Sequence, residues 1–165
     1  MPGEDPPADR YLLDVMLGKL AVYLRVCGYD AAYAGDRGIE DDDVIRRVAK
    51  DENRHLLSRD RELVAAVADA TVLEGLEITE QLAELRAAGV PLEPADPPRR
   101  CGRCNGPLEP EPETHGRPSY APSDADVPCW RCRRCGQYFW QGSHIDDLAA
   151  TLEEIRTDDD ESGSC

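Results

Sequence analysis

Five of the seven cysteines lie between positions 101 and 135, and four of these form two Cys-x-x-Cys pairs, Cys101/Cys104 and Cys132/Cys135. Each pair offers two thiolates from one tight turn, and two such turns facing each other give the tetrahedral sulfur set that zinc prefers. Free thiols or a disulfide pair are the alternatives, and the doubled motif in a chain without an export signal disfavours both. Four thiolates would close the site, so the sequence predicts a structural zinc ion.

Cys129 complicates the choice of ligands, because Cys129 and Cys132 also form a Cys-x-x-Cys pair. We assign Cys132 and Cys135 as the second pair because Gly136 follows Cys135 as Gly102 follows Cys101, and a turn of this kind needs a flexible residue. This assignment leaves Cys129 without a predicted role.

Arginine and aromatic residues flank the paired cysteines. On a small rigid platform they suit phosphate contacts and base stacking. Two structural explanations remain open: the arginines would neutralise the thiolates, and the aromatic rings would form a small core. His144 would stack, contact phosphate or pack near a helix start. The candidates for nucleic-acid contact in this segment are Arg103, Arg133, Arg134, Trp140 and His144.

Three aspartates, Asp14, Asp42 and Asp60, occur where predicted strands end or predicted helices begin. The carboxyl ends of parallel strands share one edge of a sheet, and ligands bind in the crevice there. The three side chains can therefore approach one another, and like charges brought together need a cation between them. Carboxylate oxygens select hard ions, so we expect magnesium or manganese.

Each aspartate also has a structural explanation. Asp42 and Asp60 could cap helices, and acids in a first turn are favoured by the helix dipole. Asp14 is harder to explain in this way, because a carboxylate within YLLDVML would be partly buried beside apolar neighbours. Spacing alone supports metal binding and helix capping about equally.

The elements that must position these residues alternate between strand and helix. Short apolar runs predict four strands, and helical patterns follow each of them, which favours a parallel sheet with helices on both faces. The predicted strands are 11–15, 31–34, 54–58 and 70–75, and the predicted helices are 16–28, one starting in the acidic run 40–43, 59–69 and 78–89.

A proline-rich segment divides the chain, with four prolines between positions 90 and 98. Beyond it the sequence is rich in Cys, Arg, Gly and Pro until a closing helix at 143–156, with an apolar stripe that includes Leu148, Leu152 and Ile155. We predict an α/β domain over 10–90, a linker over 91–98, a zinc ribbon with the closing helix over 99–156, and disordered tails at 1–9 and 157–165.

Acidic residues outnumber basic ones by 34 to 19, which gives a net charge of -15. Such a charge argues against a general electrostatic grip on nucleic acid. Only two of the cations are lysines, a composition that resembles salt-adapted proteins, in which acidity maintains solubility and high salt screens long-range repulsion. No stretch is apolar enough to span a membrane, and the N-terminal residues lack the features of a secretory signal, so we expect a soluble, cytoplasmic protein without a membrane partner.

Four segments in this order resemble the Mut-seven C-terminal ribonuclease family: LLDVMLGKLAVYLRVCGYD, DDDVIRRVA, HLLSRDREL, and the paired Cys-x-x-Cys with CGQYFWQGSH. The resemblance spans about residues 11 to 150. It implies a PIN-like nuclease domain, an open and mostly parallel sheet flanked by helices, followed by a small zinc ribbon and the closing helix.

The family's motifs place its metal-holding acids at Asp14, Asp42 and Asp60 of this chain. Many PIN-like nucleases have a fourth acid, for which Asp69 and Glu74 are the candidates. Ser58 stands where the family more usually has Thr, and it keeps the hydroxyl.

The resemblance therefore implies a ribonuclease that uses magnesium or manganese to hydrolyse phosphodiester bonds of RNA, which we expect to be single-stranded. The zinc ribbon would assist RNA binding, and Lys19 and Arg59 would contact phosphate. The alternative function is a non-catalytic, zinc-binding adaptor associated with RNA or with the ribosome.

Overall fold

The computed structural model describes residues 9–112 and 116–162. The first eight elements alternate between strand and helix, as predicted, and the last four form a small ribbon and a helix. In chain order they are β1 (Arg10–Leu13), α1 (Gly18–Val26), β2 (Asp30–Tyr33), α2 (Asp42–Asp51), β3 (His55–Ser58), α3 (Arg61–Ala65), β4 (Ala70–Val72), α4 (Ile78–Ala87), β5 (Leu108–Pro110), β6 (Cys129–Cys132), β7 (Tyr138–Trp140) and α5 (Ser143–Ser162).

The central sheet has four parallel strands in the order β2-β1-β3-β4. Residues alternate between its two faces. Leu12 and Leu56 join a core cluster with Ile45 of α2, whereas Leu13 and Leu57 join a larger cluster with α1 and α4. Burial on both faces is typical of parallel sheets and explains why the strands read as continuous apolar runs. The predicted α/β fold is confirmed.

The closing helix α5 follows the cysteine segment in sequence but packs into the larger core cluster of the sheet. Leu148, Leu152 and Ile155 are buried there with residues of α1 and α4. The helix continues to Ser162, six residues beyond its predicted end at Arg156. Residues 1–8 and 163–165 of the predicted tails lie outside the described residues.

The cysteine segment contains a three-stranded antiparallel sheet in the order β5-β6-β7. Residues 90–98 before it contain no helix or strand, as the four prolines there lead one to expect. The domain limits around this segment stay a prediction.

The first cysteine turn, residues 101–106, docks on the edge strand β2. The side-chain amide of Asn105 accepts a hydrogen bond from the Ala31 N–H (2.9 Å) and donates one to Asp30 (2.6 Å). Arg25 donates to the Ala31 carbonyl and to the Gly102 carbonyl, both at 3.0 Å. The outward-facing backbone groups of Ala31 are therefore satisfied by side chains, and the sheet edge is covered.

Asn105→Gly tests this docking, because glycine keeps the left-handed φ of 69° but removes the amide. We expect the free energy of unfolding of the zinc-loaded protein to fall by about 1–3 kcal/mol, the cost of leaving buried polar groups unpaired. Denaturant titration measures this change.

Asn53→Gly is the matched control, since Asn53 also has a positive φ (53°) but is exposed, and no hydrogen bond of its side chain is seen within the described chain. Equal losses in the two variants would contradict the docking role of Asn105.

Candidate functional site

The carboxyl edge of the parallel sheet collects acidic residues. Asp14 follows β1 directly, Asp60 lies two residues after β3, and α2 begins at Asp42. In a parallel sheet each connecting helix starts at the edge where the preceding strand ends. Topology therefore brings the three predicted aspartates to one edge.

Ser58 links Asp14 to Asp60. The fully buried Ser58 hydroxyl donates to Asp14 Oδ2 (2.8 Å) and accepts from the backbone N–H of Asp60 (3.0 Å). The N–H of Asp14 donates to the Leu57 carbonyl (3.1 Å), which holds the ends of β1 and β3 side by side. One hydroxyl thus fixes the spacing of two acidic residues that lie far apart in the sequence.

Asp60 also caps α3. Its Oδ1 accepts hydrogen bonds from the N–H groups of Glu62 (3.0 Å) and Leu63 (3.2 Å), so the capping explanation is correct for this residue. Its second oxygen has no hydrogen-bond partner within residues 9–112 and 116–162. Capping therefore orients Asp60 and leaves one oxygen available to a ligand.

Asp42 is an exposed residue in the first turn of α2 and does not cap it. The N-cap is Asp41, whose side chain accepts from the Asp43 N–H (2.8 Å). The prediction that Asp42 could be the cap is wrong, because the helix begins at Asp42 itself, one residue earlier than that role requires. In the described part of the chain, no hydrogen bond joins Asp42 to Asp14 or Asp60.

Of the two candidates for a fourth acid, only Glu74 lies at the carboxyl edge. It follows β4 and forms an ion pair with Arg61. Asp69 precedes β4, at the opposite edge, where its Oδ1 lies 2.8 Å from Nδ1 of His55. The strand direction separates these candidates, which the sequence alone does not.

Two cations sit close to the acidic edge. Lys19 is exposed in the first turn of α1 and has no ion-pair partner in the described ranges. Arg59 lies between Ser58 and Asp60, and its Nε is shielded from solvent without a hydrogen-bond partner among the described residues. A buried donor of this kind is costly unless it meets an acceptor.

The four predicted cysteines form a compact cluster. The sulfur of Cys101 lies 3.7 Å from that of Cys135, and that of Cys104 lies 3.5 Å from that of Cys132. All four lie within 4.8 Å of one another. Zinc at about 2.3 Å from each of four sulfurs implies sulfur separations of about 3.8 Å. The cluster fits that geometry, and its sulfurs lie far beyond the roughly 2 Å of a disulfide. These residues can hold a zinc ion.

The two cysteine turns repeat the same hydrogen bonds. The N–H four residues after the first cysteine of each pair donates to that cysteine's carbonyl, at 2.8 Å in one turn and 3.0 Å in the other. The donors are Asn105 and Gly136, which have φ of 69° and 81°. The counterpart of Gly136 is therefore Asn105 and not Gly102. The four cysteines predicted as ligands are the ones that cluster, but the glycine used to choose them was the wrong one.

Cys129 stands apart from the cluster because it lies at the opposite end of strand β6 from Cys132. At about 3.3 Å per residue, an extended chain separates Cys129 from Cys132 by roughly 10 Å, so the two cannot share one turn. Cys129 is buried opposite Trp140 of β7, and burial raises the pKa of its thiol. It packs as a small apolar residue.

Backbone N–H groups prepare one sulfur for metal binding. Burial alone would raise the pKa of Cys132, but the N–H groups of Arg134 (3.3 Å) and Cys135 (3.4 Å) donate to its sulfur, and together with neighbouring thiols they lower the pKa to about 7. A thiolate at neutral pH is the form that binds metal.

The predicted nucleic-acid contacts of the cysteine segment differ in their surroundings. Arg133 pairs with Glu109 (3.2 Å), and Trp140 stacks on Tyr120 with ring centroids 6.2 Å apart. Arg103 and Arg134 have only uncharged hydrogen-bond acceptors in the described part of the chain. The side chain of His144 lies outside the described residues.

Among the described residues, the four cysteines form the only group of three or more His, Cys, Asp and Glu side chains close enough to hold one metal ion. The three aspartates do not form such a group. No helix in the described ranges combines the length and the apolar character that crossing a bilayer requires.

Comparison with known protein families gives a match. The model of the Mut7-C RNAse domain family matches residues 9–152, which is most of the chain. No curated protein and no solved structure matches.

Substitution of single cysteines tests the ligand set. We expect the purified protein to carry one zinc ion per chain and Cys132→Ser to lose it, because three thiolates close the site less well than four. Cys129→Ala should keep its zinc. Metal analysis by mass spectrometry measures the zinc content of both variants. Loss of zinc in Cys129→Ala together with its retention in Cys132→Ser would reverse the assignment.

Gly106→Ala tests the packing around the cluster, because a Cβ there would lie 2.8 Å from the Cys132 sulfur and 3.2 Å from that of Cys104. We expect zinc affinity, measured by competition with a chelator, to fall at least about tenfold, as strained ligand positions cost metal affinity. Gly102→Ala in the same turn is the control, since its Cβ would meet only Val22 at 3.7 Å. Equal affinities for the two variants would show that the cluster is not packed this tightly.

Proposed function

The chain belongs to the Mut7-C RNAse domain family, and on that premise we propose that it hydrolyses RNA phosphodiester bonds with the help of a divalent cation. The observation that carries the proposal is the pairing of Asp14 with Asp60 through Ser58 at the carboxyl edge of the sheet. A site at this edge is where ligands bind in open parallel sheets.

Asp14, Asp42 and Asp60 would hold the cation. Their donor atoms fit magnesium or manganese, because carboxylate oxygens are the ligands that these hard ions prefer. Asp14 is fixed by Ser58 and by the Val15 N–H (2.7 Å), whereas Asp42 is exposed at the start of α2. Magnesium or manganese bound there would activate a water molecule and stabilise charge on the leaving oxygen.

Arg59 and Lys19 would hold the scissile phosphate beside the acids. Arg59 is only partly buried, and its terminal N–H groups would meet the phosphate, because its Nε is shielded from solvent. Both cations would offset the repulsion between the acidic edge and the RNA backbone. No serine, histidine or lysine nucleophile is needed, since water attacks the phosphorus.

The zinc ion would be structural, with Cys101, Cys104, Cys132 and Cys135 as ligands. Four thiolates leave no open position for a substrate or a water molecule. Zinc would hold the two turns together, the first of which docks on β2, and thereby maintain residues 99–156 as a unit beside the nuclease residues 10–90. The cysteine segment would assist binding of RNA, which we expect to be single-stranded.

A non-catalytic adaptor is the second candidate, and one observation favours it. The four sulfurs are grouped closely enough for a metal ion, whereas the three carboxylates are not. In an adaptor the cysteine segment would supply RNA or ribosome binding. Asp60 would act only as the cap of α3, and Asp14 only as a hydrogen-bond partner of Ser58.

Asp14→Asn and Asp60→Asn separate the two candidates. We expect each to slow cleavage of a labelled single-stranded RNA by at least about 100-fold in magnesium or manganese, the size of loss seen when one preorganised electrostatic group is removed from an active site. Each variant keeps the shape of its side chain, so RNA binding should persist.

Asp69→Asn, at the opposite edge of the sheet, is the control and should cleave like the parent. Equal cleavage by the parent and the three variants would show that Asp14 and Asp60 have no catalytic role. RNA binding by all four without cleavage, even by the parent, would establish the adaptor.

A further inference from the structure

A cleft of about 380 Å³ lies between the end of β2 and the two cysteine turns. Four of its lining residues are arginines: Arg25, Arg37, Arg103 and Arg134. Asp36 is the one carboxylate among its lining residues. The charge of the cleft is thus opposite in sign to the net charge of -15 of the whole chain.

Two of these arginines are neutralised within the protein. Arg25 is buried and pairs with Asp36 (3.2 Å), and Arg37 forms a double hydrogen bond with Glu52 (2.6 and 3.1 Å). Both side chains line the cleft, but their positive charges are balanced by these carboxylates.

Arg103 and Arg134 supply the free charge of the cleft. Arg103 donates to the side-chain oxygen of Gln137 (3.1 Å), and Arg134 donates to the Cys104 carbonyl (3.1 Å). Each guanidinium is therefore held by one uncharged acceptor, and neither has an ion-pair partner in residues 9–112 and 116–162. A guanidinium with further N–H groups free and a fixed position is suited to bind phosphate oxygens in pairs.

The cleft adjoins the acidic edge. Tyr33, which lines it, donates from its hydroxyl to the Val15 carbonyl (2.6 Å), one residue after Asp14. The next residue, Ala34, donates its N–H to the Leu13 carbonyl (2.8 Å). The wall of the cleft and the loop that carries Asp14 are therefore in direct contact.

We propose that this cleft binds the backbone phosphates of an RNA strand through Arg103 and Arg134 and leads that strand past Tyr33 to Asp14 and Asp60. The identity of the ligand rests on the proposed function. The cleft itself stands on its residues, since two arginines without an ion-pair partner in the described part of the chain face a cavity in a protein of net negative charge.

Arg133 provides a matched control from the same cysteine turn. Its side chain is 67% exposed and pairs with Glu109, and it does not line the cleft. A general electrostatic effect of the cysteine segment would involve Arg133 as much as its neighbour Arg134. Binding within the cleft would not.

The experiment measures binding of a fluorescent single-stranded RNA over a series of salt concentrations, in an Asp60→Asn background in which cleavage is slow. We expect Arg103→Ala with Arg134→Ala to reduce affinity at least about tenfold at low salt. The slope of log affinity against log salt should fall by about 1.4, because each phosphate contact to a single strand contributes about 0.7. Arg133→Ala should change affinity less than twofold.

Two further arms keep the result interpretable. Zinc content is measured for every variant, and Arg103→Lys with Arg134→Lys keeps both charges, so this pair should retain most of the salt slope. Loss of the slope in the zinc-loaded Lys pair would overturn the proposal, as would equal effects of Arg133→Ala and the Ala pair. Displacement of the RNA by inorganic phosphate at an equal phosphate concentration would show a site for small anions and would also overturn it.

Cleavage by the parent is measured separately. If the parent binds RNA through Arg103 and Arg134 but does not cut it, the cleft is established as an RNA-binding site and the proposed ribonuclease activity is contradicted. If the parent cuts RNA and the double Ala variant binds RNA as tightly as its background, the ribonuclease activity is supported and the cleft is not the RNA-binding site.

Discussion

The outward N–H of Ala31, in the edge strand β2, is the backbone group on which the arrangement of the molecule depends. A parallel edge strand needs hydrogen-bond acceptors for such groups. Asn105, the residue after Cys104 in the first cysteine turn, supplies one with its side-chain oxygen. Asn105 reaches it only because the chain turns with a left-handed φ after Cys104, a metal-ligand candidate. Metal binding, the shape of the turn and the cover of the sheet edge are therefore coupled.

This coupling places two opposite charges next to each other. The acidic edge with Asp14 and Asp60 lies at the ends of β1 and β3, and the cleft with Arg103 and Arg134 lies beyond the end of β2. In a chain of net charge -15, long-range attraction cannot recruit a polyanion, so binding would depend on short-range contacts with fixed guanidinium groups. Salt weakens these contacts through counterion release, but it also screens the repulsion between the RNA and the remaining acidic surface.

Sequence reasoning reached the parts of the structure that depend on local pattern. Apolar runs predicted the strands, and the paired Cys-x-x-Cys motif predicted the sulfur cluster. It missed features that depend on tertiary contacts or on a shift of one residue. Asp41 caps α2 instead of Asp42, Asn105 takes the role given to Gly102, and α5 packs on α1 and α4 although it follows the cysteine segment. The difference between Arg133 and Arg134 was also unpredictable, because it depends on the position of Glu109 in the neighbouring strand β5.

The most direct measurement of the central claim is anomalous X-ray scattering from crystals of the zinc-loaded protein soaked in manganese. The account predicts two separate metal sites, with zinc among the four cysteine sulfurs and manganese against the carboxylates of Asp14 and Asp60. Manganese binding that leaves these two carboxylates empty at saturating concentration would contradict it.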